Sequence, residues 1–183
     1  MYETRVDIFN KFKDEKRVKD ICNNLNSVVS KIIGTNPKFT YFGSKEDSYF
    51  TIYNENKYDK CISIYLNFRL HYPDKDSFTY DKEAKNLNDE EYNKYIECKY
   101  NQSKLFCAEI QWISINPERK RFGTKVVKEL IDTLKIIESI EMILLHPQDR
   151  DAKDFWIKNK FKDNDTNDKR LNSYISDDMI YKY

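Results

Sequence analysis

The chain has 183 residues, 39% hydrophobic and 15% aromatic, enough apolar surface for one core and too short for two comfortable ones. Lys plus Arg number 32 against 31 Asp plus Glu, so the formal net charge of +1 excludes a global attraction to nucleic acid or an anionic membrane; any basic site must be local. No apolar run approaches the ~20 residues of a membrane span, and the first residues, MYETRVDIFNKFKDEK, are charged where a signal peptide is apolar. A cytoplasmic protein with no membrane partner is expected. The four cysteines form no C-x-x-C pair, and His71 and His146 lie far apart in sequence. No metal is expected, the thiols are expected to be free, and the histidines read as packing or solvated side chains.

In chain order, residues 6–33 carry Ile8, Phe9, Phe12, Val18, Ile21, Cys22, Leu25, Val28, Val29 and Ile32 at helical intervals. This predicts one long or broken helix, stopped by Gly34 in the left-handed conformation. The stretches KFTYFG, SYFTIYNEN and KCISIYLNFRLHY are rich in aromatic and β-branched residues, and GSKED and NKYD separate them as turns. They predict an antiparallel meander. Residues 73–102 are polar and read as an insertion or lid, with a helix over NDEEYNKYIECKY capped by Asn88 or Asp89.

LFCAEIQWISI predicts a strand whose alternation puts Glu109 and Gln111 on one face and Ala108, Ile110 and Trp112 on the other. Residues 123–137 predict a helix with Val127, Leu130, Ile131 and Leu134 inward, and IEMILLH a strand buried on both faces. That sequence of elements is a right-handed crossover between parallel strands. DAKDFWIKNKF follows as a helix packed through Ala152, Phe155, Trp156 and Ile157, then DNDTNDKR as a solvated turn and SDDMIYKY as a closing strand. The expected fold is a single domain over residues 1–183, α/β of mixed α+β type.

Gly123 is one of only three glycines and stands after PERKRF at the start of an amphipathic helix. A loop entering a helix presents unpaired backbone NH groups and the positive end of the helix dipole, and a glycine lets an anion approach them. Arg119, Lys120, Arg121 and Lys125 add positive charge there. The segment is an anion-binding candidate; its alternative is a solvated charge run.

From residue 105 to 183 the order of elements resembles the GNAT superfamily of acetyltransferases. That family has a strand, a pyrophosphate-binding loop of pattern Q/R-x-x-G-x-G/A, a helix, a second strand, and a helix carrying A-x-x-F-Y-x-x-x-G-F. Here PERKRFGTKVV takes the loop's place with Gly123 at the last glycine, and Ala152, Phe155, Trp156 and Phe161 match the later motif. The resemblance implies a GNAT-like, largely antiparallel twisted sheet with a central parallel strand pair and flanking helices. It implies acetyl-CoA as cosubstrate, with no metal, held by Trp112, Ile113, Ser114, Arg119, Lys120, Arg121, Phe122, Gly123, Thr124, Lys125, Asp149 and Trp156. It implies an amine-bearing acceptor, and Glu109 as general base in the wedge between the two strands.

Five positions depart from the family pattern: Glu118 for Gln or Arg, Arg121 for the first glycine, Asp149 for Asn, Trp156 for the tyrosine that protonates the thiolate, and Lys160 for the glycine of G-F. Tyr174, Tyr181 and Tyr183 are candidates for the replaced acid. The expected activity is therefore an acetyl-CoA-dependent N-acetyltransferase. The alternatives are a catalytically degenerate acyl-CoA-binding or regulatory module, and a nucleic-acid-binding protein using KFKDEKRVKD, whose interspersed acids argue against it. Small amines, protein N-termini, lysines and aminoacyl-tRNA are all compatible acceptors, and a homodimer is compatible with the chain.

Overall fold

Asp14 divides the N-terminal helical region in two. The computed structural model describes residues 5–43, 49–54, 62–71, 85–116, 122–137, 140–164 and 178–183. In it α1 spans Arg5–Phe12 and α2 spans Glu15–Ile33, and the Asp14 carboxylate accepts a hydrogen bond of 2.9 Å from the Lys16 NH to cap α2. Gly34 closes α2 at φ 77°, its NH donating to the Ser30 carbonyl at 2.9 Å. The stripe Val18, Cys22, Leu25 and Val29 is buried, as the helical spacing requires. Burial pushes the Cys22 thiol up to about 11, so it stays protonated and packs as a small apolar group.

The meander forms as expected. Strands β1 (Phe39–Phe42), β2 (Tyr49–Asn54) and β3 (Ile62–His71) pair antiparallel in succession. The turns expected from GSKED and NKYD lie almost wholly outside the described residues, as does the 73–84 part of the insertion. Helix α3 (Asp89–Gln102) is started by a capping box in which Asn88 and Glu91 each accept the other's backbone NH. It buries no residue, consistent with its polar composition.

The chain continues through β4 (Leu105–Ile115), α4 (Phe122–Lys135), β5 (Met142–Leu145), α5 (Arg150–Lys158), β6 (Lys162–Asp163) and β7 (Met179–Lys182). The seven strands lie in the order β1-β2-β3-β4-β5-β7-β6. β4 and β5 run parallel, and the other described pairs are antiparallel. The fold is thus mixed α/β, a mostly antiparallel sheet with one parallel pair and, among the described residues, five helices. β6 was not expected from the sequence, because two charged residues carry no periodic signal.

Most of the core lies on one face of the sheet, where α1, α2 and α4 bring Phe9, Leu25 and Leu130 against Phe68, Phe106 and Ile143. A smaller cluster of Leu105, Cys107, Met142, Leu144 and Ile180 fills part of the other face. β5, contributing to both clusters, is buried throughout, as its unbroken apolar run requires. One packing expectation is corrected. Ile157 is 51% exposed, because each helical residue turns by about 100° and the step past buried Trp156 carries it off the inward stripe.

A Cβ added at Gly34 would meet nothing within 4 Å, so the cost of a side chain there is conformational and not steric. Gly34→Ala should therefore lower stability by about 1 kcal/mol through the left-handed backbone alone. A lowered urea midpoint with an unchanged m-value is the expected result, and an unchanged midpoint would contradict it.

Candidate functional site

The site begins with a mismatch between two strands. β3 and β4 pair without interruption from Ile62↔Ile115 to Tyr65↔Trp112, and again from Leu66↔Ile110 to His71↔Leu105. Gln111 is left with no partner on β3, a β-bulge. An extra residue inverts a period of two. Before the bulge Phe106, Ala108 and Ile110 face the main core; beyond it Ile113 and Ile115 do. Trp112 therefore shares the face of Glu109, and its expected place beside Ala108 and Ile110 is corrected. It stands opposite Tyr65, and both rings are exposed.

On its other edge β4 pairs with β5 from Cys107↔Met142 to Ile110↔Leu145, and no further. The two parallel strands part at the bulge. A cavity of about 70 Å³ lies in the gap, lined by residues of β4 (Ile110 to Ile113), by Leu145, His146 and Gln148 after β5, and by Ala152 and Trp156 of α5. It has room for a few water-sized groups. Of the expected cofactor contacts, Trp112, Ile113 and Trp156 line it; Ser114, half-buried opposite Ser63, lies just beyond.

α5 is placed by its ends. Asp149 caps it, accepting 2.7 Å from the Ala152 NH, which gives this expected cofactor residue a structural task. At the other end Lys160 takes φ 70° where the family pattern has glycine, and the Phe161 NH donates to the Trp156 carbonyl at 3.1 Å. Trp156 is buried, edge-on to Phe155 at 5.1 Å and to Phe161 at 5.0 Å. Its indole can donate a hydrogen bond but cannot serve as a general acid near neutral pH.

Phe122, Gly123, Thr124 and Lys125 form the first turn of α4, with Thr124 and Lys125 exposed. Arg119, Lys120 and Arg121, with Glu118, lie outside the described residues. A Cβ at Gly123 would stand 3.4 Å from two ring carbons of Phe155, an ordinary contact distance, so the first turn of α4 lies close to α5, the helix that walls the cavity.

Glu109, the expected base, is 4% exposed and does not line the cavity. Its Oε1 is 3.0 Å from His71 Nε2 and 3.6 Å from Arg69 Nε, and its Oε2 accepts 3.3 Å from Gln111 Nε2. His71 is equally buried, in keeping with a packing side chain, and it is also the hydrogen-bond partner of a buried carboxylate. Nothing in the sequence links residues 71 and 109, because the strand register brings them together. The donor atoms of His71, Cys107 and Glu109 lie within 4.8 Å of one another, a spacing open to a metal. The Arg69 guanidinium already supplies positive charge to that carboxylate.

A second histidine contact lies at the cavity. The register Leu145↔Met179 sets His146 beside Asp178, and His146 Nδ1 is 2.8 Å from Asp178 Oδ1. The imidazole is 57% exposed while the carboxylate is 6% exposed. Of the tyrosines considered as acids, Tyr174 lies outside the described residues. Tyr181 packs on Phe161 and Tyr183. Tyr183 is part exposed, yet desolvation, followed by Tyr181 and Asp132, holds its hydroxyl above the usual tyrosine range and makes it a weaker acid.

No family model matches the chain, and no curated protein matches it. Among solved structures it is similar to a bacterial toxin, at 10% identity and a TM-score of 0.39 over 73% of this chain and 66% of the toxin's. It is similar also to a tyrosine-to-phenylalanine mutant of KacT, at 10% identity and a TM-score of 0.38 over 73% of this chain and 69% of that one.

His71→Ala removes one hydrogen bond from a buried carboxylate and should cost about 2 kcal/mol, within the range for bonds to charged groups. Glu109→Gln, which keeps the shape and loses the charge, should cost less. Chemical denaturation of the two variants checks the order; equal, negligible losses would deny the contact its structural role.

Proposed function

We propose that the chain is an acetyl-CoA-dependent N-acetyltransferase of the GNAT type, transferring the acetyl group to a primary amine. The observation that carries this reading is the cavity opened where β4 and β5 part, walled by α5, against which the first turn of α4 lies at Gly123. Acyl transfer from a thioester needs a dry pocket for the acyl group, NH donors for its carbonyl, and an anion-binding end for the phosphates. Beyond Ile110 the β5-facing edge of β4 has lost its parallel partner, so alternate backbone groups of Trp112 to Ser114 face the gap and suit a thioester carbonyl and an extended amide chain. The NH groups of the α4 first turn, helped by Lys125, suit the phosphates. Amine attack on the carbonyl carbon then forms the C–N bond, and the C–S bond breaks.

Trp156 favours a second reading, an acyl-CoA-binding module without turnover, because an indole stands where a proton donor is wanted. The chain's two tryptophans, Trp112 and Trp156, both line the cavity, so their emission reports on anything that enters it. Titration with acetyl-CoA should change that emission saturably, and Trp112→Phe and Trp156→Phe should each retain part of the change. Absence of binding would overturn the reading. Binding without thiol release across a panel of primary amines would select the module instead.

A further inference from the structure

His146 follows directly on β5, where β5 and β4 separate, and is one of the residues that line the cavity. Its Nδ1 is taken by Asp178, which stands at the start of β7 and is itself held in place by accepting the Asn164 NH on its carbonyl at 2.8 Å. A carboxylate at Nδ1 selects the tautomer with hydrogen on that nitrogen, leaving the Nε2 lone pair for a bound group. Glu109 is differently placed: it is 4% exposed, is engaged by His71, Arg69 and Gln111, and stands outside the cavity lining.

We propose that His146 and Asp178 are the proton-transfer dyad of this site, an inference that rests on the acetyl-transfer reading and assigns it a base and an acid in one ring. As the amine nitrogen attacks the thioester carbonyl, its proton passes to His146 Nε2. The resulting imidazolium is stabilised by the buried Asp178 carboxylate. When the C–S bond breaks, the same proton moves to the departing sulfur, and the ring returns to its neutral form. Amine and thioester become amide and thiol with nothing left over. The absence of an acidic hydroxyl at position 156 then ceases to be a deficiency. His146 is the catalytic residue and Asp178 a positioning residue, and Glu109 steadies the bulge through Gln111.

The full-length protein tests this with acetyl-CoA and a panel of polyamines, amino sugars and short peptides. His146→Gln alters a largely exposed side chain and should fold, with acetyl-CoA affinity within about threefold of wild type and a turnover lower by ~10² to 10⁴. Asp178→Asn should lower turnover and release the tautomer. Nitrogen-15 spectra of the imidazoles report that directly, because the chain has only two histidines and His146→Gln assigns them. Wild type should show His146 with its proton on Nδ1. Should Asp178→Asn fail to fold, His146→Gln and the wild-type tautomer still decide. His146→Gln with turnover within about threefold of wild type, or a wild-type ring protonated on Nε2, would overturn the dyad and leave acetyl transfer standing. Wild type that binds acetyl-CoA but acetylates no amine would overturn the dyad and favour the binding module. Wild type that binds no acetyl-CoA would overturn both readings.

Discussion

A single unmatched residue in β4 divides that strand into two halves with different surroundings. From Cys107 to Ile110 it is paired on both edges, to β3 and to β5. Past Gln111 it keeps β3 alone. The first half needs apolar or internally satisfied side chains on both faces, and Leu105 to Ile110 are buried without exception. The second can expose Trp112 and leave one edge of its backbone for something other than protein. The position of the opening, the wall that α5 makes for it, and the placing of His146 at its rim all follow from where β4 stops pairing with β5. A continuous, fully paired β4 would have turned Trp112 into the main core and Ile113 and Ile115 out of it, against the burial of both faces.

The same strand carries an ionisable group that must be accommodated beside an apolar cluster. Glu109 lies two residues from Cys107 and next to the Leu144 position of β5, where desolvation penalises a carboxylate. The compensation comes from β3: His71 gives a hydrogen bond, and Arg69 brings charge from a half-exposed position. Gln111 adds a donor from the bulge itself. A buried charge held from the neighbouring strand fixes a register more than it adds stability, since a slip of one residue would separate Glu109 from both His71 and Arg69 at once. Glu109 thus holds together two strands and the irregularity between them.

Elements with a strong period were legible in the sequence. The α4 stripe, the unbroken apolar run of β5, the Gly34 stop and the Asn88 cap all carry local signals, and their order led to a mixed sheet with a parallel pair. What escaped depends on pairing between distant segments. AEIQWISI reads as an uninterrupted alternation, and only the register with β3 reveals that Gln111 is extra. His71 and His146 looked isolated because each finds its carboxylate across a strand pair, at Glu109 and Asp178. Ile157 looked inward because the sequence does not fix where an apolar stripe ends. Gly123 was read for what could approach its backbone, and the structure adds a neighbour, Phe155, that the sequence places a helix away. Asp149 and Lys160 show the same thing at the ends of α5, where a cap and a left-handed lysine settle positions that the family pattern fills with Asn and Gly.

The strand order has a kinetic meaning. β1, β2 and β3 are neighbours both in the chain and in the sheet, so their contacts close short loops. β4 reaches β3 only across the segment that contains α3, and β7 reaches β5 only across α5 and β6, inserting itself between β5 and β6. Loop closure over such separations slows assembly. Every wall of the cavity belongs to this second group, and His146 at its rim meets Asp178, the residue before β7. The meander can therefore close through short loops, whereas the cavity and the His146–Asp178 contact form only when segments distant in the chain have come together.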